Sequence, residues 1–308
     1  MPELFSPLRI GGLELPNRIA MAPLPTGLAR ADGFVTPELV AYYALRANGG
    51  VGLVVSEALQ VVPPPNGPGV AHLGAYADAF VPGLRSLVAA CHAHGARVLL
   101  TLDAPALSAS LDTSALFPLI DAYSVAAWRA LCAGADGIML TAADGGLLHS
   151  LLSPLSNQRT DAYGPGLDGR VRMPLEIIEG VRRRLGSRLI IGFRMLADEL
   201  TPGGSTLQDA RVVAKRVTAG GVRLLDIAAP TASPQVASFP GWAVPLANSI
   251  KRVTDVPVIG SGLLGDALLA DSVVRDGSID IVMLDGSLRA DPAWPRAART
   301  RIELEQPT

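Results

Sequence analysis

The sequence predicts a (β/α)8 TIM barrel forming a single domain over residues 1–308, with a short N-terminal hairpin, and three observations lead there. Short apolar runs alternate with helix-like runs eight times along the chain. The apolar runs carry little polarity on either face, as buried parallel strands do. No polar linker interrupts the series, and 308 residues suit one barrel.

The segment 4–15, with Gly11-Gly12 between apolar pairs, reads as a hairpin closing the barrel floor. Strands are expected at 18–22, 52–56, 97–102, 137–141, 189–194, 224–228, 257–260 and 279–284. Helices fall between them, at 37–47, 78–94, 122–133, 172–185, 207–219, 242–253, 267–275 and 292–303. The first opens with Thr36-Pro37-Glu38, a hydroxyl cap, a proline at the first helical position and an early acid. Several helices end at glycine, among them those before Gly95, Gly134 and Gly186.

Hydrophobic residues at 49% against charged residues at 18% describe a globular chain with a large core. A formal net charge of −2 supplies no basic face for a phosphate backbone, so nucleic acid is not an expected partner. Residues 58–77 and 227–250 are free of charge, but each contains four prolines, which argues against membrane spans. No charged and then apolar leader opens the chain. Cys91 and Cys132 lack a metal or redox spacing, and reduced thiols in a cytoplasmic protein are expected.

The stretch 151–164, LLSPLSNQRTDAYG, has the grammar of a rigid connector after a strand: Pro154 and Asn157 punctuate it, and Arg159, Thr160 and Asp161 can bond nearby backbone. In a barrel the site is read from the carboxyl ends of the strands. Arg194 ends an otherwise apolar run, and either an ion pair with an acid such as Asp226 or a ligand facing the mouth explains it. Asp103 and Asp144 each follow a strand, as general acid or base or as simple caps. The four histidines have no metal-ligand spacing, no GxSxG elbow occurs, and Gly260-Ser-Gly262 is a weak phosphate signal.

The segments LFSPLRIG (4–11), NRIAMAP (17–23), YYALRANGG (42–50), SEA (56–58), LSPLSNQRTDAYG (152–164) and PVIGSG (257–262) together resemble the Old Yellow Enzyme family of FMN-dependent ene-reductases. The resemblance covers nearly the whole chain and implies a flavin at the mouth. Several positions depart from the pattern it implies. Pro25 stands where the family places a Thr or Cys on the flavin carbonyl, and Thr101 where it places a glutamine on the pyrimidine. The substrate-gripping histidines fall on Thr141 and Asp144, the proton-donating tyrosine on Gly146, and the phosphate-binding Gly-Arg on Asp285-Gly286.

These departures lead to the expectation of a flavin-independent enzyme with no cofactor. It would catalyse a cyclisation, isomerisation or pericyclic rearrangement of a bulky apolar, polyketide-like intermediate in bacterial specialised and antibiotic biosynthesis. The arginine-heavy, GC-rich composition and the apolar, proline-rich loops at 60–70 and 230–245 accord with it. Arg194, Asp144, Asp103 and Thr141 are then the catalytic candidates. Pro25, Glu57, Ala58, Thr101, Gly146, Trp242 and Gly262 are the candidates for binding a small apolar organic substrate. Two alternatives stay open: an FMN-dependent NAD(P)H ene-reductase holding its flavin through Ala58, Arg194 and Gly262, and a non-catalytic binding protein. Either is compatible with a homo-oligomer.

Overall fold

The computed structural model describes residues 3–64, 72–105, 112–143, 145–228 and 239–305. The antiparallel hairpin of β1 (Leu8–Ile10) and β2 (Leu13–Leu15) lies where the apolar pairs around Gly11-Gly12 placed it. The barrel strands follow as β3 (Ile19–Met21), β4 (Leu53–Gln60), β6 (Arg97–Asp103), β7 (Gly137–Ala142), β8 (Ile190–Leu196), β9 (Leu224–Ala228), β10 (Val258–Gly260) and β11 (Ile281–Leu284). Each pairs in parallel with the next, and β11 pairs with β3, which closes an eight-stranded cylinder. β5 (Leu73–Gly74) adds a short parallel extension at the end of β4.

The outer layer comprises α1 (Pro37–Asn48), α2 (Val81–His92), α3 (Phe117–Cys132), α4 (Leu147–Leu152), α5 (Gly166–Leu185), α6 (Leu207–Gly220), α7 (Val244–Lys251), α8 (Ala267–Arg275), α9 (Gly286–Ala290) and α10 (Trp294–Glu305). Thr36 caps α1 by accepting from the Leu39 amide, with Pro37 at the first helical position. Thr206 and Asp209 form a reciprocal capping box at α6. The stretch Thr113–Cys132 is long and apolar enough by composition to cross a membrane, yet Leu119, Tyr123, Ala126, Ala127 and Ala130 are buried within the fold.

Strand alternation sorts the core into two shells. Leu53, Val55, Leu99, Met139, Ile190, Leu224, Ile259, Ile281 and Met283 fill the barrel interior, and Ile10 and Leu15 of the hairpin plug its floor. Their neighbours, including Val54, Leu100, Leu140, Phe193, Leu225 and Val282, face outward and pack beneath the helices. A packed interior and a plugged floor leave the carboxyl ends of the strands as the place for a site.

The expected strands and helices are all present, with shifted ends. β4 and β8 run on to Gln60 and Leu196, so Glu57 and Ala58 sit within a strand, not just beyond it, and Arg194 lies two residues before the end of its own. Three short elements, β5, α4 and α9, escaped the sequence reading because two to six residues cannot display a period. α4 takes the first two residues of the connector, and the remainder is as rigid as its composition implies. Asn157 Nδ2 donates to the carbonyls of Leu151 and Tyr163 at 2.7 and 2.8 Å, which fastens both ends together.

Candidate active site

Alternation places Thr141, Arg194 and Asp226 side by side on the inner face, because Thr141 is in register with Arg194 and Arg194 with Asp226. Arg194 Nη1 donates to Asp226 Oδ2 at 2.7 Å; the Asp226 side chain is fully buried and that of Arg194 is 13% exposed. The ion-pair reading of Arg194 holds, with Asp226 as the partner, and the pair stands on the inner face at the mouth.

β4 carries an irregularity between Val55 and Ala58 that Thr101 stitches to β6. The Thr101 hydroxyl donates to the Ser56 carbonyl at 2.6 Å, and the Thr101 amide donates to Ser56 Oγ at 3.0 Å. With its one proton so engaged, Thr101 can only accept from a ligand, so its binding contribution is narrower than residue type alone implies.

Glu57 is buried, and its carboxylate accepts from the Thr26 hydroxyl at 2.9 Å and the Thr26 amide at 3.2 Å. It thus anchors the loop that carries the exposed Pro25. Burial pushes the Glu57 carboxyl above the usual range, an effect the Thr26 bonds partly offset. Between the ordinary glutamate range and this raised value the native state keeps a proton that the unfolded chain has released, so stability falls as pH rises through that window. Glu57→Gln is expected to flatten this fall, as measured by denaturant unfolding at a series of pH values from about 4 to 8.

Asp103 ends β6, buried, with its Oδ1 accepting from the Ala104 amide at 2.8 Å. Gly146 opens α4 directly against it: a Cβ at Gly146 would lie 2.2 Å from both Asp103 carboxylate oxygens. The Asp103 carboxylate therefore fills the volume where a side chain at 146 would begin. Asp144 lies outside the described residues, as do 65–71 and 229–238 of the two proline-rich loops.

On the far side of the mouth Gly262 follows β10 with φ of +114°, and a Cβ there would meet the Ala243 amide nitrogen at 2.8 Å. The Gly241 amide donates to the Gly262 carbonyl at 2.7 Å, which seats the nearly buried Trp242 beside it. Asp285 and Gly286 at the start of α9 are exposed. Among the described residues no group of three or more His, Cys, Asp or Glu could hold a metal ion.

A closed eight-stranded barrel with an inward, ion-paired arginine at its carboxyl mouth and a glycine turn after its seventh strand has the architecture of an α/β-barrel enzyme. The chain belongs to the NADH:flavin oxidoreductase / NADH oxidase family, whose sequence model matches residues 3–116 and 104–305. It is 34% identical to an NADH oxidase of Thermoanaerobacter brockii over 97% of this chain and 51% of that protein. It is 31% identical to an NADPH dehydrogenase of Halalkalibacterium halodurans, covering 97% and 95% of the two chains. The fold superposes on morphinone reductase with a TM-score of 0.84 at 27% identity, over 97% of this chain and 90% of that one. The chain spans about half the length of the first of these relatives.

These comparisons correct two expectations. A flavin-independent cyclase or isomerase working on a polyketide-like intermediate, and a site with no cofactor, conflict with a family of flavin oxidoreductases whose relatives are named for NADH and NADPH chemistry. Side-chain donors missing at Pro25 and Asp285-Gly286 and altered at Thr101 do not by themselves exclude a flavin held by the residues that remain. The residues present are compatible with FMN: Arg194 sets a cation on the inner face of the mouth, Ala58 follows the irregularity of β4 without a bulky side chain, and Gly262 packs its backbone against Ala243 beside the mouth.

Proposed function

We propose that the protein is an FMN-dependent NAD(P)H oxidoreductase that reduces an activated alkene in a small apolar substrate. The observation that carries this is the Arg194–Asp226 pair on the inner face at the mouth of a barrel of this family. The chemistry that bound FMN would supply is hydride transfer from the nicotinamide to the electron-poor carbon. Arg194, Ala58 and Gly262 would hold it, with Asp226 fixing the guanidinium. Asp103, in the volume beside Gly146, supplies the proton to the neighbouring carbon. Thr141 stands next to Arg194 and helps shape the substrate side of the mouth.

The finer reading is a divergent member with a loosened grip on its flavin. Asp285-Gly286 put a carboxylate where the resemblance implies a Gly-Arg pair, Pro25 has no amide proton, and the Thr101 proton is engaged. Each missing hydrogen bond weakens binding by about 1–3 kcal/mol, so affinity at least about a hundredfold below that of a fully equipped site is expected.

Absorbance decides the main reading. Purified protein, supplied with excess FMN and passed through a desalting column, is expected to retain a flavin spectrum that NADH or NADPH bleaches without oxygen. A colourless protein after reconstitution, or a flavin neither nicotinamide reduces, overturns it. Asp103→Asn is expected to slow alkene reduction by about a hundredfold while leaving flavin reduction by the nicotinamide unchanged, a split that stopped-flow measurement of the two half-reactions resolves.

A further inference from the structure

Gln60 is the last residue of β4, and its side chain plays no part in the grip just described. It is 7% exposed, and its Oε1 atom accepts no hydrogen bond among the described residues. Native folds seldom bury an amide oxygen without a donor, and such an atom marks strain or a place taken by a water, an ion or a donating ligand group. Strain has no visible source here, since the Gln60 backbone is paired on both sides, to Asp103 of β6 and Gly74 of β5.

Direction follows from alternation. Leu59 and Leu102 join the outer core, which turns their successors Gln60 and Asp103 to the other face of the sheet, at the carboxyl end of the barrel. The neighbouring Asp103 carboxyl accepts from the Ala104 amide at 2.8 Å and makes no bond to Gln60 Oε1. A buried amide oxygen without a donor, on the face that also carries Asp103, is complementary to a ligand group that donates.

We infer that Gln60 and Asp103 form a polar subsite at the mouth that recognises a hydroxyl group on the substrate, the hydroxyl donating its proton to Gln60 Oε1. The subsite selects enones that carry a hydroxyl away from the reacting double bond over those that carry none. It rests on the proposed reaction only in placing the substrate at the barrel mouth.

Binding of 2-cyclohexenone, 4-hydroxy-2-cyclohexenone and 4-methoxy-2-cyclohexenone, measured by ligand-observed NMR on protein supplied with FMN, tests it. The methyl ether keeps the oxygen and removes the donor. The wild type is expected to bind the alcohol about tenfold or more tightly than the ether. Gln60→Leu is expected to bring that ratio to within about twofold while leaving the affinity for 2-cyclohexenone unaltered. Gln60→Met, similar in length and without the oxygen, serves if the leucine variant does not fold. A wild type that binds none of the three, or does not distinguish alcohol from ether, sinks the subsite, as does a preference that survives in the folded variant. The binding ratio is read without turnover, so a flavin that NAD(P)H does not reduce would overturn the reaction and leave this comparison standing.

Discussion

Replacing Arg194 with alanine is expected to release FMN and destabilise the barrel at once, and the two losses are separable. The guanidinium is the only side chain of the proposed flavin grip that brings a charge, so its removal should weaken FMN binding by about ten- to a hundredfold. It also strips the fully buried Asp226 of a charge-assisted bond at 2.7 Å, and breaking such a pair from one side costs about 3–5 kcal/mol. Arg194→Ala with Asp226→Leu removes the stranded carboxylate as well. Most of the stability should return, while FMN affinity stays low. Thermal unfolding without flavin and fluorescence titration with FMN measure the two separately; a double variant that regains flavin affinity would show that Arg194 acts only through the fold.

Asp161→Ala is the second large loss expected, and it lies in the connector, away from any reacting atom. The Asp161 carboxylate accepts from Arg159 Nε at 3.0 Å, from the Tyr163 amide at 3.1 Å and from the Thr113 hydroxyl. It so ties the segment after α4 to the start of the α3 region. The Arg159 bond holds its carboxyl well below the usual range, the Thr113 and Tyr163 donors add to that effect, and burial opposes it only in part. Its stabilisation is therefore fully present above the ordinary aspartate range and is lost as pH falls through its depressed folded value. The Arg159 side chain is 7% exposed, so the variant also leaves a largely buried cation without this carboxylate, and a loss of about 3 kcal/mol is expected near neutral pH. Denaturant unfolding at pH 7 measures it. The difference from wild type should narrow in acid, where the wild-type carboxylate is itself being titrated.

Sequence was sufficient for the barrel because its strands are buried on both faces and its helices on one, patterns that survive without any knowledge of neighbours. It also found Arg194, since a cation in an apolar strand demands a partner or a ligand. It did not resolve which, and the register β7–β8–β9 supplies the partner, Asp226. Gln60 went unremarked: a glutamine after an apolar strand is ordinary until the fold buries its oxygen without a donor. Thr101 looked like a ligand-binding hydroxyl until the fold assigned its proton to Ser56.

The error over the flavin has a physical cause. Lost side-chain donors can be counted along a chain, whereas backbone cradles and the approach of one loop to another cannot. Gly262 is informative only because Ala243, nineteen residues away in sequence, stands 2.8 Å from where its side chain would be. Gly146, read as the absence of a tyrosine, proves to be the space Asp103 occupies.

By itself the sequence determined the architecture, the ancestry and the rigid connector, because each rests on periodicity or on bonds between near neighbours. Only the tertiary structure decided what the mouth can do: which carboxylate holds Arg194, which hydroxyl is engaged and which buried oxygen waits for a donor. Those are pairings between strands far apart in the chain, and they exist only once the sheet has closed.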